Sequence, residues 1–304
     1  MHLIVPFANV ISEAGRHAAT TLELPHLQRL LARAPPGPCL GGDEMSLTPP
    51  HELAFARHCG WRADEGRIAW AAQRASQDSI DPGGQAWGWL TPVHLHLGTE
   101  QVSMADPETL SLDEPTAREL FESVRTLFES EGFVLRFGAP LRWYLSHPSL
   151  AELPTASLDR VIGRHIDAWL PDAPAARLVR RLQSEVQMLW YGHAVNERRE
   201  AAGLLTVNSL WLSGCGLAAE VPMPAQAPRV DDSLRTPALA EDWAAWCEAW
   251  RTLDAGPLAA LAEPPPEATL TLAGERRAAS FALGAAPWWQ RWRAPSAAAV
   301  LESL

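Results

Sequence analysis

Short apolar runs of strand character alternate with stretches of helical spacing along this 304-residue chain, which predicts an α/β protein. Three observations carry that prediction. Leu3-Ile-Val-Pro-Phe7 is a compact apolar run, as a first buried strand would be. Leu24, Leu27, Leu30 and Leu31 fall on one face of a helix spanning residues 24–34. Trp87-Gly-Trp-Leu-Thr-Pro-Val-His-Leu-His-Leu97 then turns to β-like alternation.

The remaining elements follow in order. Pro35-Pro-Gly-Pro38 ends the early helix, because proline lacks the N–H that the next turn needs. Residues 50–61 have helical spacing, and residues 76–84 are a polar loop with Gly and Pro. Ser111-Leu-Asp-Glu114 opens a helix running to about residue 130, with acids in the first turn where the dipole favours them. Residues 133–137 and 142–145 read as neighbouring strands. Residues 158–169 and 175–202 read as two helices divided by Leu170-Pro-Asp172, and 209–212 as a strand. A Pro-rich linker follows Gly216, then a Trp/Ala-rich helix over 242–251, the Pro264-Pro-Pro266 break and a strand over 269–272.

Composition narrows the function classes. With 47% hydrophobic residues the chain has enough apolar mass for a sizeable core, in one large domain or two ordinary ones. A formal charge of −11 and a pI near 5.4 argue against nucleic acid as a partner. Arg177, Arg180, Arg181, Arg198 and Arg199 still allow a local basic patch. Cys39, Cys59, Cys215 and Cys247 are widely spaced, as expected of reduced thiols in a cytoplasm rather than a zinc or disulfide framework. The first residues lack the basic start of a signal peptide, and no run reaches the roughly 18–20 apolar residues that span a bilayer, so a soluble, cytoplasmic protein with no membrane partner is expected. The 14 Trp against 2 Tyr are read as core packing.

The densest polar motif runs from His193 to Gly216. It gathers His193, Asn196, Arg199, Asn208 and Trp211 and closes on Gly214-Cys-Gly216. Arg supplies a planar fork and Asn both a donor and an acceptor, which suits a carboxylate or phosphate. The same groups also suit a structural hydrogen-bond network that pins the Gly-x-Gly turn, and both readings stand here. Cys215 itself is read as packing.

This segment resembles the end of the substrate-binding insert of archaeal-type, cofactor-independent phosphoglycerate mutases, metal-dependent members of the alkaline phosphatase superfamily. The family pattern is close to H-P-V-N-x-x-R-x-x-x-G-x-x-P-A-N-x-x-W-x-W-G-x-G. His193, Val195, Asn196, Arg199, Gly203, Asn208, Trp211, Gly214 and Gly216 fall in register, whereas Ala194, Val207 and Ser213 depart from it. Upstream, Pro154, Asp159, Gly163 and Leu170-Pro171 match the approach to the same helix. Residues 24–32 resemble the family's T-P-N-L-D helix, and Cys59-Gly-Trp61 its L-G-Y. The combination is most similar to bacterial phosphoglycerate-mutase-like or RpfE-type regulatory proteins.

The resemblance implies a degenerate alkaline-phosphatase-like core, residues 1–84 with 217–304, and an inserted α+β substrate-binding cap over 85–216. The departures bear on activity. Where the family's first strand ends in a metal-binding Asp, this chain has Phe7-Ala-Asn-Val-Ile11, with Asn9 the nearest polar group. The position of the nucleophilic Ser falls on His51 and that of its neighbouring Asp on Glu52, with Ser46 and Thr48 nearby. Beyond Gly216 stand the acidic pairs Asp231-Asp232 and Glu241-Asp242 but no His. Phosphoryl transfer of this kind depends on metals held by carboxylates and imidazoles, so the family's two-metal site cannot be assembled in the family's way.

The leading expectation is therefore a pseudoenzyme: a catalytically degenerate, cytosolic binding or regulatory protein with no cofactor and a phosphorylated or carboxylated small-molecule ligand. His193, Asn196, Arg199 and Asn208 are the expected ligand contacts, joined by Arg160 and Arg164 at i and i+4 of a helix. The alternative is an active phosphomutase or phosphatase using Mn or Zn at a rebuilt site, with His51, Glu52, His94 and His96 as metal ligands and Glu100 or Asp106 as helpers. A third reading is a protein-interaction module built on the Trp243, Trp246, Trp250 stripe and on Trp288-Trp-Gln-Arg-Trp292. Neither a Walker loop, a G-x-G-x-x-G nor a G-x-S-x-G is present.

Overall fold

The computed structural model describes residues 1–34, 36–62, 64–98, 101–170, 174–218, 223–261, 268–283 and 295–304. Glu100, Pro171, Asp172, the Pro264-Pro-Pro266 break and Trp288-Trp-Gln-Arg-Trp292 lie outside them. The strands are β1 His2–Val5, β2 Pro36–Gly41, β3 Ala86–Val93, β4 Leu95–Leu97, β5 Val102–Met104, β6 Val134–Ala139, β7 Arg142–Ser146, β8 Ser209–Leu217, β9 Arg229–Val230, β10 Thr269–Ala273 and β11 Arg277–Ala282. The α-helices are α1 Glu13–Thr20, α2 Pro25–Leu31, α3 Pro50–His58, α4 Trp70–Arg74, α5 Glu114–Ser130, α6 Leu158–Val161, α7 Pro174–Tyr191, α8 Ala194–Ala201, α9 Arg235–Leu239, α10 Trp243–Leu253 and α11 Ala297–Glu302. None of the described helices is long and apolar enough to cross a membrane. The chain is mixed α/β, in two compact units: Met1–Met45, Pro49–Gly60 and Met223–Leu304 form one, Ser46–Thr48 and Trp61–Pro222 the other.

The first unit is built on a sheet of order β2-β11-β10-β1-β9, in which β1 runs parallel to both β10 and β9. Side chains alternate across a strand, so Leu3, Val5, Leu270, Leu272 and Phe281 share one face. They bury against Leu27, Leu30 and Leu31 of α2 and Trp246, Trp250 and Leu253 of α10. The opposite face carries His2, Ile4 and Thr271, and α3 packs over it.

Helix α2 shows how distant sequence holds this core. Its N-cap residue, Leu24, has no side chain that can accept the free N–H groups of the first turn. Asp254 supplies the acceptors from the far end of α10. Its carboxylate takes the N–H of Leu27 (2.7 Å), the N–H of His26 (3.2 Å) and His26 Nδ1 (3.0 Å). Asp254 is itself buried, so these bonds have little competition from water.

The second unit contains an antiparallel sheet of order β6-β7-β3-β8. Leu90, Leu135, Trp143, Leu145 and Leu210 face α5 and α7, meeting Phe121, Val124, Phe128, Leu182, Val186 and Trp190. Asp113 caps α5 by accepting the Thr116 N–H (2.8 Å), as the acidic start of that helix predicts. On the other face, α4 lies directly against β8. A Cβ on Gly214 would stand 2.9 Å from Trp70 Cβ, and one on Gly216 would stand 2.8 Å from Ala69 Cβ. Gly214 also adopts φ 62°, at the irregularity where β3 and β8 shift register. The Gly-x-Gly is thus a packing device that lets a helix approach a bulged strand.

Several expected elements are corrected. The Pro-rich stretch after α2 pairs as edge strand β2, where a missing N–H can face away from the ladder. The helix expected over 158–169 stops at Val161 and is followed by a short 3-10 turn over Ile166–Trp169. The helix expected over 175–202 breaks at Gly192, and His193 starts α8 as its N-cap. The strand expected over 209–212 continues to Leu217.

Asp254→Ala is expected to lower stability by about 3 kcal/mol, because it orphans two helix N–H groups in a buried site. Urea denaturation checks this, and a midpoint equal to that of the unsubstituted protein would show that the remote cap carries no weight.

Candidate functional site

In open sheets with parallel strands, ligands sit beyond the carboxyl ends of those strands. In the first unit that edge begins where the chain leaves β1. Phe7 takes φ 55°, uncommon for a residue with a side chain. The Ala8 N–H donates to Ala273 O (2.8 Å), and the Ile11 N–H to Glu275 Oε1 (3.1 Å). Ser12 then caps α1 through the Gly15 N–H (3.1 Å). The connection is therefore pinned at both ends, and Asn9 is held between them.

Asn9 is only 7% exposed. Its side chain makes no hydrogen bond among the described residues, and it lines a groove of about 510 Å³ together with Arg16, Glu44, Arg276, Arg277 and Glu302. Its amide atoms are not among the buried unpartnered ones, so they face the groove and can meet a group that enters it. Arg276 is committed: its guanidinium makes a paired contact with Glu44 (2.6 and 3.1 Å), and its carbonyl accepts the Gly42 N–H (2.8 Å). Arg16 and Arg277 are exposed and make no ion pair among the described residues. Two uncommitted guanidiniums beside an uncommitted amide form an arrangement suited to an anion. Sequence reasoning reached Asn9 but missed Arg16, Arg276 and Arg277. The one available signal for Arg16 was its place on the helix opened by Ser12.

In the second unit the expected ligand residues serve the backbone. Asn196 is buried; its amide donates to Trp190 O (2.9 Å) and Val207 O (2.8 Å), and its carbonyl accepts the Val207 N–H (2.9 Å). Arg199, also buried, donates to Leu205 O (2.7 Å) and Leu110 O (2.5 Å). Burial lowers its pKa, partly offset by Asp113. Asn208 accepts from Leu95 N (2.7 Å) and donates to Leu95 O (2.9 Å), as a strand neighbour would. His193 Nδ1 accepts the Val195 N–H (3.2 Å). Asn196 and Arg199 thus hold the backbone of residues 205–207, and Asn208 ties its own position to Leu95.

Arg160 and Arg164 are not helix neighbours, because α6 ends between them. Arg160 is buried and donates to Ser46 Oγ (2.7 Å), whereas the Arg164 guanidinium lies 5.8 Å from the centre of the Trp169 ring. Thr48 Oγ1 accepts the Gly66 N–H (2.6 Å). Within the basic patch, Arg181 pairs with Glu131 (2.7 Å) and Arg198 with Glu119 (2.5 Å).

The metal candidates fall in different units. His51 and Glu52 stand in the first turn of α3, with the His51 ring 5.9 Å from that of Phe7. His94 and His96 meet edge to face at 4.5 Å, and His94 Nδ1 bonds Thr206 O (2.8 Å). Burial lowers the His94 pKa. Asp106 caps a short turn through the Glu108 N–H (3.1 Å). Among the described residues no three His, Cys, Asp or Glu side chains converge as a metal set. Burial pushes the Cys215 thiol up to about 12, as expected of a packing residue.

The tryptophan stripe turns inward. Trp246 and Trp250 are fully buried and Trp243 is half-buried against the same core, with Trp246 Nε1 donating to Phe7 O (3.0 Å). The partner surface expected on this helix is therefore corrected: α10 presents its Trp face to the sheet, where the apolar area is needed.

No protein-family model matches the chain, and no curated protein matches it. Among solved structures it is similar to the PH0037 protein of Pyrococcus horikoshii, at 13% identity and a TM-score of 0.47, over 94% of this chain and 88% of that one. It is also similar to the cofactor-independent phosphoglycerate mutase of Thermoplasma acidophilum, at 14% identity and a TM-score of 0.38, over 94% of this chain and 90% of that one.

Arg199→Ala is expected to cost about 2–3 kcal/mol of stability, since the buried Leu110 carbonyl and the part-buried Leu205 carbonyl lose a charged donor. Thermal melting checks it. An unchanged melting temperature, with weakened binding of phosphate, would return Arg199 to a ligand-contacting role.

Proposed function

We propose that this chain is a binding or regulatory protein of phosphoglycerate-mutase-like ancestry that recognises a small anion and has lost phosphotransfer. One observation carries the reading. The carboxyl end of β1 offers an uncommitted amide and two uncommitted guanidiniums, while the nearby Glu44 and Glu275 carboxylates are engaged by Arg276 and the Ile11 N–H, and Glu302 also lines the groove. That donor set binds anions; a pair of divalent ions needs carboxylates and imidazoles instead. The Arg199 network enters this proposal as the scaffold of the second unit. A cytoplasmic location is part of the same proposal, and all four cysteines are free thiols.

Calorimetric titration with inorganic phosphate and with 3-phosphoglycerate tests the reading, beside a mutase assay in added manganese. Binding of one or both anions without turnover is expected, with affinity reduced about tenfold or more in Arg16→Ala/Arg277→Ala, the loss of roughly 1.4 kcal/mol or more. Manganese-dependent turnover would overturn it in favour of a working enzyme drawing on His51, Glu52, His94 and His96. Anion binding indifferent to both arginine changes would move the site out of the groove.

A further inference from the structure

A second polar constellation lies at the other end of β1, away from the groove and independent of the anion reading. His2, the first residue of that strand, is buried, and its Nδ1 stands 2.9 Å from Nδ1 of His58, the exposed last residue of α3. The rings meet edge to face with centroids 4.6 Å apart. His2 Nε2 is 2.7 Å from Thr271 Oγ1, which in turn is 2.7 Å from Ser280 Oγ.

Proton bookkeeping limits what this row can be. A contact of 2.9 Å between two ring nitrogens holds one proton, with a lone pair on the other nitrogen. When His2 Nε2–H donates to Thr271 and Thr271 donates to Ser280, His2 Nδ1 is left bare. The shared proton then belongs to His58. Neutral imidazole can carry its proton on either nitrogen, so moving it to Nε2 of the exposed His58 leaves a lone pair on each of the two facing nitrogens. No proton need leave the protein.

We propose that His2 and His58 form a bidentate imidazole site for a late first-row divalent ion, with Cu²⁺ the favoured occupant. The spacing selects the geometry. Two nitrogens at about 2.05 Å from a metal lie about 2.9 Å apart when cis at a right angle and about 3.3 Å apart at a tetrahedral angle. The observed separation matches the right angle, the preference of tetragonal Cu²⁺, which also tops the affinity order for nitrogen ligands. The hydroxyl row behind His2 admits the tautomer with Nδ1 bare and holds the ring in place, the role that outer hydrogen bonds play at metal-bound histidines. The exposed His58 leaves a path from solvent, and water fills the remaining positions.

Titration of the full chain with Cu²⁺, followed by calorimetry and electron paramagnetic resonance, tests the site. One equivalent should bind in the micromolar range, with hyperfine structure from two nitrogens. His58→Ala, at an exposed helix end that tolerates truncation, should weaken that binding about tenfold or more at an unchanged melting temperature. His96→Ala, which dismantles the other histidine pair, should leave it intact. Three outcomes would overturn the proposal: no binding, binding indifferent to His58→Ala, or binding abolished by His96→Ala.

Discussion

A backbone stretch that joins a helix to a strand takes its hydrogen bonds from whatever lies beside it, and residues 205–208, with Val207 buried among them, draw several from side chains. Asn196 bonds both the N–H and the carbonyl of Val207 and so stands in for a neighbouring peptide group. Asn208 does the same toward Leu95, and Arg199 satisfies Leu205 O together with Leu110 O. These contacts set where β8 begins, and β8 pairs with β3 along its length. The approach to β8 is therefore held by a few amides and one guanidinium. Each such bond is worth about 1–3 kcal/mol when its loss would strand a buried group. Residue types that advertise a ligand are the same types that imitate a backbone.

The first unit meets a similar demand from farther away. Asp254 completes the first turn of α2, and Glu275 and Ser12 hold the loop after β1. Against this background the uncommitted groups stand out. Asn9, Arg16 and Arg277 are polar side chains that the fold does not use, gathered along one groove. The difference between scaffold and site lies in which donors and acceptors the protein has left open.

Much of the architecture was legible in local pattern. The apolar run at β1, the leucine face of α2, the acidic start of α5 and the tryptophan spacing of α10 all declare themselves within a few residues. What escaped depends on partners remote in sequence. Proline at 36 and 38 argues for a break until an edge position beside β11 makes its missing N–H harmless. The periodicity of α7 continues into α8, so the interruption at Gly192 is visible only as the His193 cap. The direction in which Arg199 points could not be settled by spacing, because its carbonyl partners include one 89 residues away. Arg276 and Arg277 carried no signal, since the turn and the start of β11 that they occupy meet the β1 edge only through tertiary packing.

The central strand of the first unit has a consequence for synthesis. β1 is flanked on one side by β9 and on the other by β10, both contributed by the last third of the chain. The second unit is nearly continuous in sequence, from Trp61 to Pro222. A ribosome therefore releases a complete set of strands for the second sheet well before β1 has any neighbour to pair with. During that interval the apolar Leu3-Ile-Val5 run is an unpaired strand edge, the kind of surface that chaperones and other nascent chains recognise. Its closing step joins segments more than two hundred residues apart, a contact of long sequence separation and therefore a slow search.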